Sequence, residues 1–116
     1  MQRIDATAME TLGIPRLLLM EHAGLAVARV VRTLAPPSSR PILMCCGTGF
    51  NGGDGFAAAR HLHGWGYPLR LLLTGRLTQL REEPATYATI LQRLGLSIME
   101  LTETTLFAHV DRALEE

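Results

Sequence analysis

Gly47-x-Gly49-x-x-Gly52 follows a short apolar run, and Gly53, Asp54 and Gly55 come directly after it. Glycines at this spacing, after a strand and before a helix, let the backbone turn tightly and bring bare N–H groups against a phosphate. The helix N-terminus adds partial positive charge. The chemistry such a segment supports is phosphate or nucleotide binding, and the spacing formally satisfies the dinucleotide fingerprint. Asn51 and Asp54 are what that fingerprint does not explain, because an acid beside a phosphate repels it unless it caps the helix or a cation intervenes. Asp54 could be an N-cap that satisfies free backbone donors, and Asn51 could simply tolerate a left-handed turn. Together with the phosphate they could equally give oxygens to a hard cation.

The remaining reactive side chains narrow the chemistry. A nicotinamide dehydrogenase would place an acid about 20 residues further on, at the end of the second strand, to hold the ribose. That place holds Leu71, Leu72, Leu73, Thr74 and Gly75. Arg76 could read a 2′-phosphate there, but a solvated loop arginine is the commoner fact, and the ordinary dehydrogenase is weakened. Basic and acidic residues number 11 each, and every basic residue is Arg. The missing lysine excludes Schiff-base chemistry and a Walker A phosphate site. Zero net charge supplies no global field for nucleic acid or an anionic membrane, so any anion must be held locally. Cys45 and Cys46 are neighbours on a strand and face opposite ways, which makes a disulfide between them implausible. They read as two buried hydrophobes in a reducing compartment. Four histidines without clustered spacing give zinc no case.

The elements that must position the glycine segment follow from punctuation and periodicity. A helix begins at about Asp5 and is broken by Gly13 and Pro15. A second runs from about Arg16 to Leu34, with Leu18, Ala23, Val27, Val30 and Leu34 spaced as its apolar side. After Pro36, Pro37, Ser38 and Ser39, the run from Pro41 to Cys46 reads as a strand buried on both faces. The glycine loop leads into a helix from Asp54 to about Gly64, then a strand at 69–73 closed by Gly75. Pro84 sits in the first turn of a further helix ending at Gly95; Leu96, Ile98 and Leu101 form a third strand, and Thr104 starts a last helix. This alternation implies a parallel sheet with right-handed crossovers. The chain of 116 residues is 47 % hydrophobic and 19 % charged, ordinary for a domain with a core. No apolar h-region opens the sequence and no run approaches a membrane span, so a cytoplasmic, soluble protein is expected.

At this point the residues resemble a known family. Gly47-Thr-Gly-Phe-Asn-Gly-Gly-Asp-Gly-Phe-Ala-Ala-Ala-Arg-His-Leu62 closely resembles the glycine-loop signature of the YjeF N-terminal domain family, the NAD(P)H-hydrate epimerases. Arg3-Ile-Asp5, and Gly13-Ile-Pro15 through Leu19-Met-Glu21-His-Ala-Gly24, are similar to that family's N-terminal helices. The resemblance covers the first part of the chain well, and the rest by element order. It implies a Rossmann-like three-layer α/β/α fold acting on hydrated NADH or NADPH. The family interconverts the R and S forms, so that a dehydratase driven by ADP or ATP, which acts on the S form, can restore the cofactor. It uses a potassium ion near the nucleotide phosphates. Carried over by position, the substrate loop is Phe50, Asn51, Gly52, Gly53 and Asp54, with Asn51 as the potassium ligand. The family typically has Asn where Phe50 stands. His22 also stands where Asn is common and reads as a packed or capping histidine. The cation would offset the negative charge that Asp54 brings to the loop.

Family members run to roughly twice this length, as a two-half Rossmann sheet would. Residues 1–116 are therefore expected to be a partial domain, cut at its C-terminal side: the N-terminal half of the sheet plus two preceding helices. The family's catalytic aspartate and further potassium ligands belong to later elements, so the catalytic residue stays unassigned; Asp111 reads as a solvated helix position. Epimerisation needs a carboxylate within hydrogen-bond reach of the substrate, and Asp54 suits orienting the loop better than moving that proton. The expected partners are the hydrated nucleotide, a dehydratase that could be fused in the full-length protein, and a second copy in a homodimer. A non-catalytic nucleotide- or protein-binding module on the same fold is the alternative. The third strand is expected to be an unpaired edge that favours association.

Overall fold

A computed structural model describes residues 9–102. Residues 9–12 are helical, and Gly13, at φ +69°, ends that turn in the left-handed region that glycine enters without a Cβ penalty. Pro15 then precedes α1, Arg16–Leu34. The sequence bounds this helix correctly but points to a different packing side. The buried residues are Met20, Gly24 and Ala28, while Leu18, Val27, Val30 and Leu34 are exposed. Small residues win the inner face because α1 lies almost against α2, Phe50–Gly64. A Cβ on Gly24 would lie 2.5 Å from Ala57 Cβ and 2.7 Å from the Ala58 nitrogen.

The strands β1 (Ile42–Cys46), β2 (Leu69–Leu73) and β3 (Ile98–Glu100) form a parallel sheet in the order β1-β2-β3. Ile42 pairs with Leu69, Cys46 with Leu73, and Leu71 with Ile98. Among the described strands β3 is an edge, as expected, and so is β1. A short 3₁₀ turn, Leu77–Gln79, leads to α3, Glu82–Arg93, with Pro84 in its first turn and Gly95 closing it at φ +88°.

Met44, Cys46, Leu69, Leu71, Leu73 and Ile98 all join the core, packing with Phe56, Ala57 and Ala59 of α2 and Tyr87, Ala88 and Leu91 of α3. The alternate residues do not. Leu43 is 59 % and Met99 46 % exposed, and Cys45 is exposed. The expectation of a β1 strand buried on both faces is thus corrected: the described helices cover one face. The two cysteines divide accordingly, and burial, with Cys45 beside it, pushes the Cys46 thiol up to about 11. The first helix from Asp5 and the last from Thr104, with Asp111, fall largely or wholly outside the described residues. No described helix is long and apolar enough to cross a membrane.

Candidate functional site

The glycine segment is largely helix rather than loop. α2 starts at Phe50, four residues before the sequence suggests, and Gly49 precedes it with an extended backbone and no side-chain cap. Three glycines in the opening turns hide the helix from propensity, since glycine is the poorest helix former after proline. Two expectations fall with this. Asp54 lies beyond the first turn and is not the N-cap, and Asn51 is helical rather than left-handed.

Packing explains why Gly52, Gly53 and Gly55 carry no side chain. A Cβ on Gly52 would overlap the Gly47 carbonyl oxygen, one on Gly53 would lie 2.7 Å from the Met20 sulfur, and one on Gly55 would lie 2.8 Å from the Cys46 sulfur. α2 is therefore pressed directly onto the end of β1 and onto α1. Gly49 differs, since nothing lies within 4 Å of its Cβ position. The Gly53 N–H donates to the Gly49 carbonyl at 3.2 Å, which begins the helical ladder and leaves the earlier amides of the turn without intrahelical acceptors. Free N–H groups beside open space make an anion cradle.

Of the five expected substrate residues, Phe50 and Asn51 are exposed, Gly52 and Gly53 are buried, and Asp54 is half-buried. Asn51 makes no side-chain hydrogen bond among the described residues. His22 is exposed and neither packs nor caps. Arg76 is also exposed, and its backbone N–H donates to Gln79 Oε1 at 2.8 Å. No cluster of three or more His, Cys, Asp or Glu suited to a metal occurs among the described residues.

Behind the cradle lies a polar hub that the sequence did not reveal. Glu21 of α1 accepts from the Tyr87 hydroxyl at 2.7 Å and from Arg60, and His61 Nε2 lies 3.3 Å from it. One carboxylate so ties all three helices. Burial pushes its proton affinity up, but the Tyr87 and Arg60 hydrogen bonds and the positive charges outweigh this and hold Glu21 below its ordinary 4.5. Tyr87 moves the other way, raised by burial and by the adjacent carboxylate. A carboxyl depressed in the folded state stabilises fully above its unfolded value, and that contribution is lost as pH falls through the lower folded one. The melting temperature is therefore expected to drop on acidification below 4.5, less steeply in Glu21→Gln. The difference is at most about 1 kcal/mol because the hub is partly solvated. Identical acid profiles for the two proteins would refute this assignment.

Comparison with known proteins decides the family. The description "YjeF-related protein N-terminus" matches residues 16–111. The chain belongs to the YjeF N-terminal family. Among YjeF N-terminal relatives, the Bifunctional NAD(P)H-hydrate repair enzyme Nnr of Pyrobaculum aerophilum is 48 % identical over 91 residues, covering 77 % of this chain and 17 % of that protein. The NAD(P)H-hydrate epimerase of Rhodopirellula baltica is 37 % identical over 102 residues, covering 88 % of this chain and 41 % of that one. A yeast protein of known crystal structure superposes with a TM-score of 0.75 at 27 % identity, covering 85 % of this chain and 44 % of its own. The YjeF N-terminal fold expected from the sequence is thus the fold observed, and the chain spans less than half the length of these relatives.

Proposed function

We propose that this chain supplies the nucleotide-cradling part of an NAD(P)H-hydrate epimerase, which interconverts the R and S forms of hydrated NADH or NADPH. The observation that carries the reading is the open backbone at Gly49 beside the free amides of the α2 first turn, in a chain whose relatives bear that name. The pyrophosphate would lie on those amides, with Phe50, Asn51, Gly52, Gly53 and Asp54 around it. No described residue is assigned the proton transfer, and Asp54 serves to orient the turn.

We propose further that a potassium ion binds beside the cradle, with Asn51 as its ligand from the described residues. Asn51 offers an exposed neutral amide oxygen in the first turn of α2, with no competing side-chain hydrogen bond among the described residues. Asn51 would hold the ion together with substrate oxygens. Bound there, potassium supplies positive charge next to the phosphates. The reading carries with it a cytoplasmic setting, a homodimer, and a dehydratase, separate or fused, that consumes the S form.

Titrating NADPH hydrate into the labelled protein while following backbone amide resonances tests this. The amides of residues 47–54 are expected to shift, more strongly in potassium chloride than in choline chloride, and Asn51→Ala should remove the difference between the salts. A folded protein whose 47–54 amides stay unmoved would overturn the proposal.

A further inference from the structure

We propose that Arg16 is a positioning residue, which fixes the Phe50 ring as an aromatic wall of the cradle for a flat ring of the nucleotide. This rests on the nucleotide reading above and deepens it.

Arg16 opens α1, Phe50 opens α2, and Glu82 and Glu83 open α3, so three helix starts meet beside Gly49. The Arg16 guanidinium lies 4.2 Å from the centroid of the Phe50 ring. Its Nη1 donates to Glu82 Oε2 at 2.8 Å and lies 3.8 Å from Glu83 Oε2. Two further observations mark the acidic side of this contact. Glu82 is the one non-glycine residue with positive φ among the described residues, at 52°, and such a backbone persists only where its surroundings hold it. Glu83 Oε2 is buried without a hydrogen-bond partner. Were Arg16 to swing out towards a phosphate, that buried oxygen would lose the positive charge facing it.

Arg16 is thus engaged by two acids and an aromatic ring, although it sits beside an anion cradle. What it has left to offer is its planar face, which stacks on an aromatic ring as an ammonium cannot. Phe50, held from one side, remains 37 % exposed next to Gly49. A fixed ring with exposed surface next to a pyrophosphate cradle is the arrangement that stacks a base or nicotinamide-derived ring.

Calorimetric titration with NADP⁺ and, separately, inorganic pyrophosphate tests the assignment on the wild type, Arg16→Met and Phe50→Leu. Both variants are expected to bind NADP⁺ roughly five- to twentyfold more weakly and pyrophosphate within about twofold of wild type, as loss of ring stacking alone requires. The double variant should be no weaker than Phe50→Leu. Equal weakening of both probes by Arg16→Met, in a protein that still melts cooperatively, would make Arg16 a charge reader and overturn the proposal. If that variant fails to fold, Phe50→Leu, which keeps the ion pairs, still decides: unchanged NADP⁺ affinity overturns it. A wild type that binds pyrophosphate and not NADP⁺ also overturns it while sparing the anion cradle. Binding of neither probe overturns the nucleotide reading as well.

Discussion

Gly52→Ala is expected to lower the melting temperature by on the order of 15 °C and to abolish nucleotide binding. The added methyl would overlap the Gly47 carbonyl oxygen and lie 2.7 Å from the Gly47 carbonyl carbon. Both are backbone atoms at the end of β1, so no side chain can rotate away; the start of α2 must lift from the strand. Overpacking costs about 1–3 kcal/mol where side chains can yield, and the upper end or beyond applies where the backbone must move. At about 4–8 °C per kcal/mol for a domain of this size, the shift follows. Gly49→Ala is the control, because its methyl meets nothing within 4 Å. It should melt near wild type and lose affinity only through crowding of the phosphate. Equal melting temperatures for Gly52→Ala and wild type would show that the turn is not packed as described.

Gly24→Val should be comparably damaging for a different reason. α1 and α2 cross at this residue, and a new Cβ would come within 2.5 to 2.7 Å of Ala57 Cβ, the Ala57 carbonyl carbon and the Ala58 nitrogen. Separating the helices would open the interface around Met20 and Ala28 and pull Glu21 from Tyr87. A loss of about 3 kcal/mol is expected, measured by chemical denaturation. Gly24→Ala should show most of the effect already, since the first methyl makes the clash. A stable Gly24→Val protein with an intact near-ultraviolet tyrosine signal would refute the close crossing.

What the sequence made legible was the chain's punctuation. Pro15 marked the start of α1, Gly75 and Gly95 marked element ends, and the bounds of β2 were read without error. Burial was harder to read. In α1 the larger Leu and Val side chains suggested the inner face, but a helix crossing this close selects Met20, Gly24 and Ala28. The glycines at 52, 53 and 55 announced the cradle and concealed that it is helical, because the features that let α2 pack on Gly47, Met20 and Cys46 also lower its propensity. Glu21 and Arg16 were invisible as site residues for another reason. Glu21 finds partners 39 and 66 positions away, and Arg16 finds one 66 away, separations that no local pattern encodes.

Among the described residues one face of the sheet is covered by helices, and the adjacent thiols are divided by it. A single peptide step takes the sulfur from the exposed side, at Cys45, into an interior where the Cys46 thiol gives up its proton only near 11. Because the thiolate is the species that oxidants and alkylating agents attack, burial and the raised pKa both disfavour reaction at Cys46 while the fold persists. Of the pair, Cys45 is therefore the thiol open to oxidants, and because neighbouring strand side chains point to opposite faces a disulfide between the two is implausible.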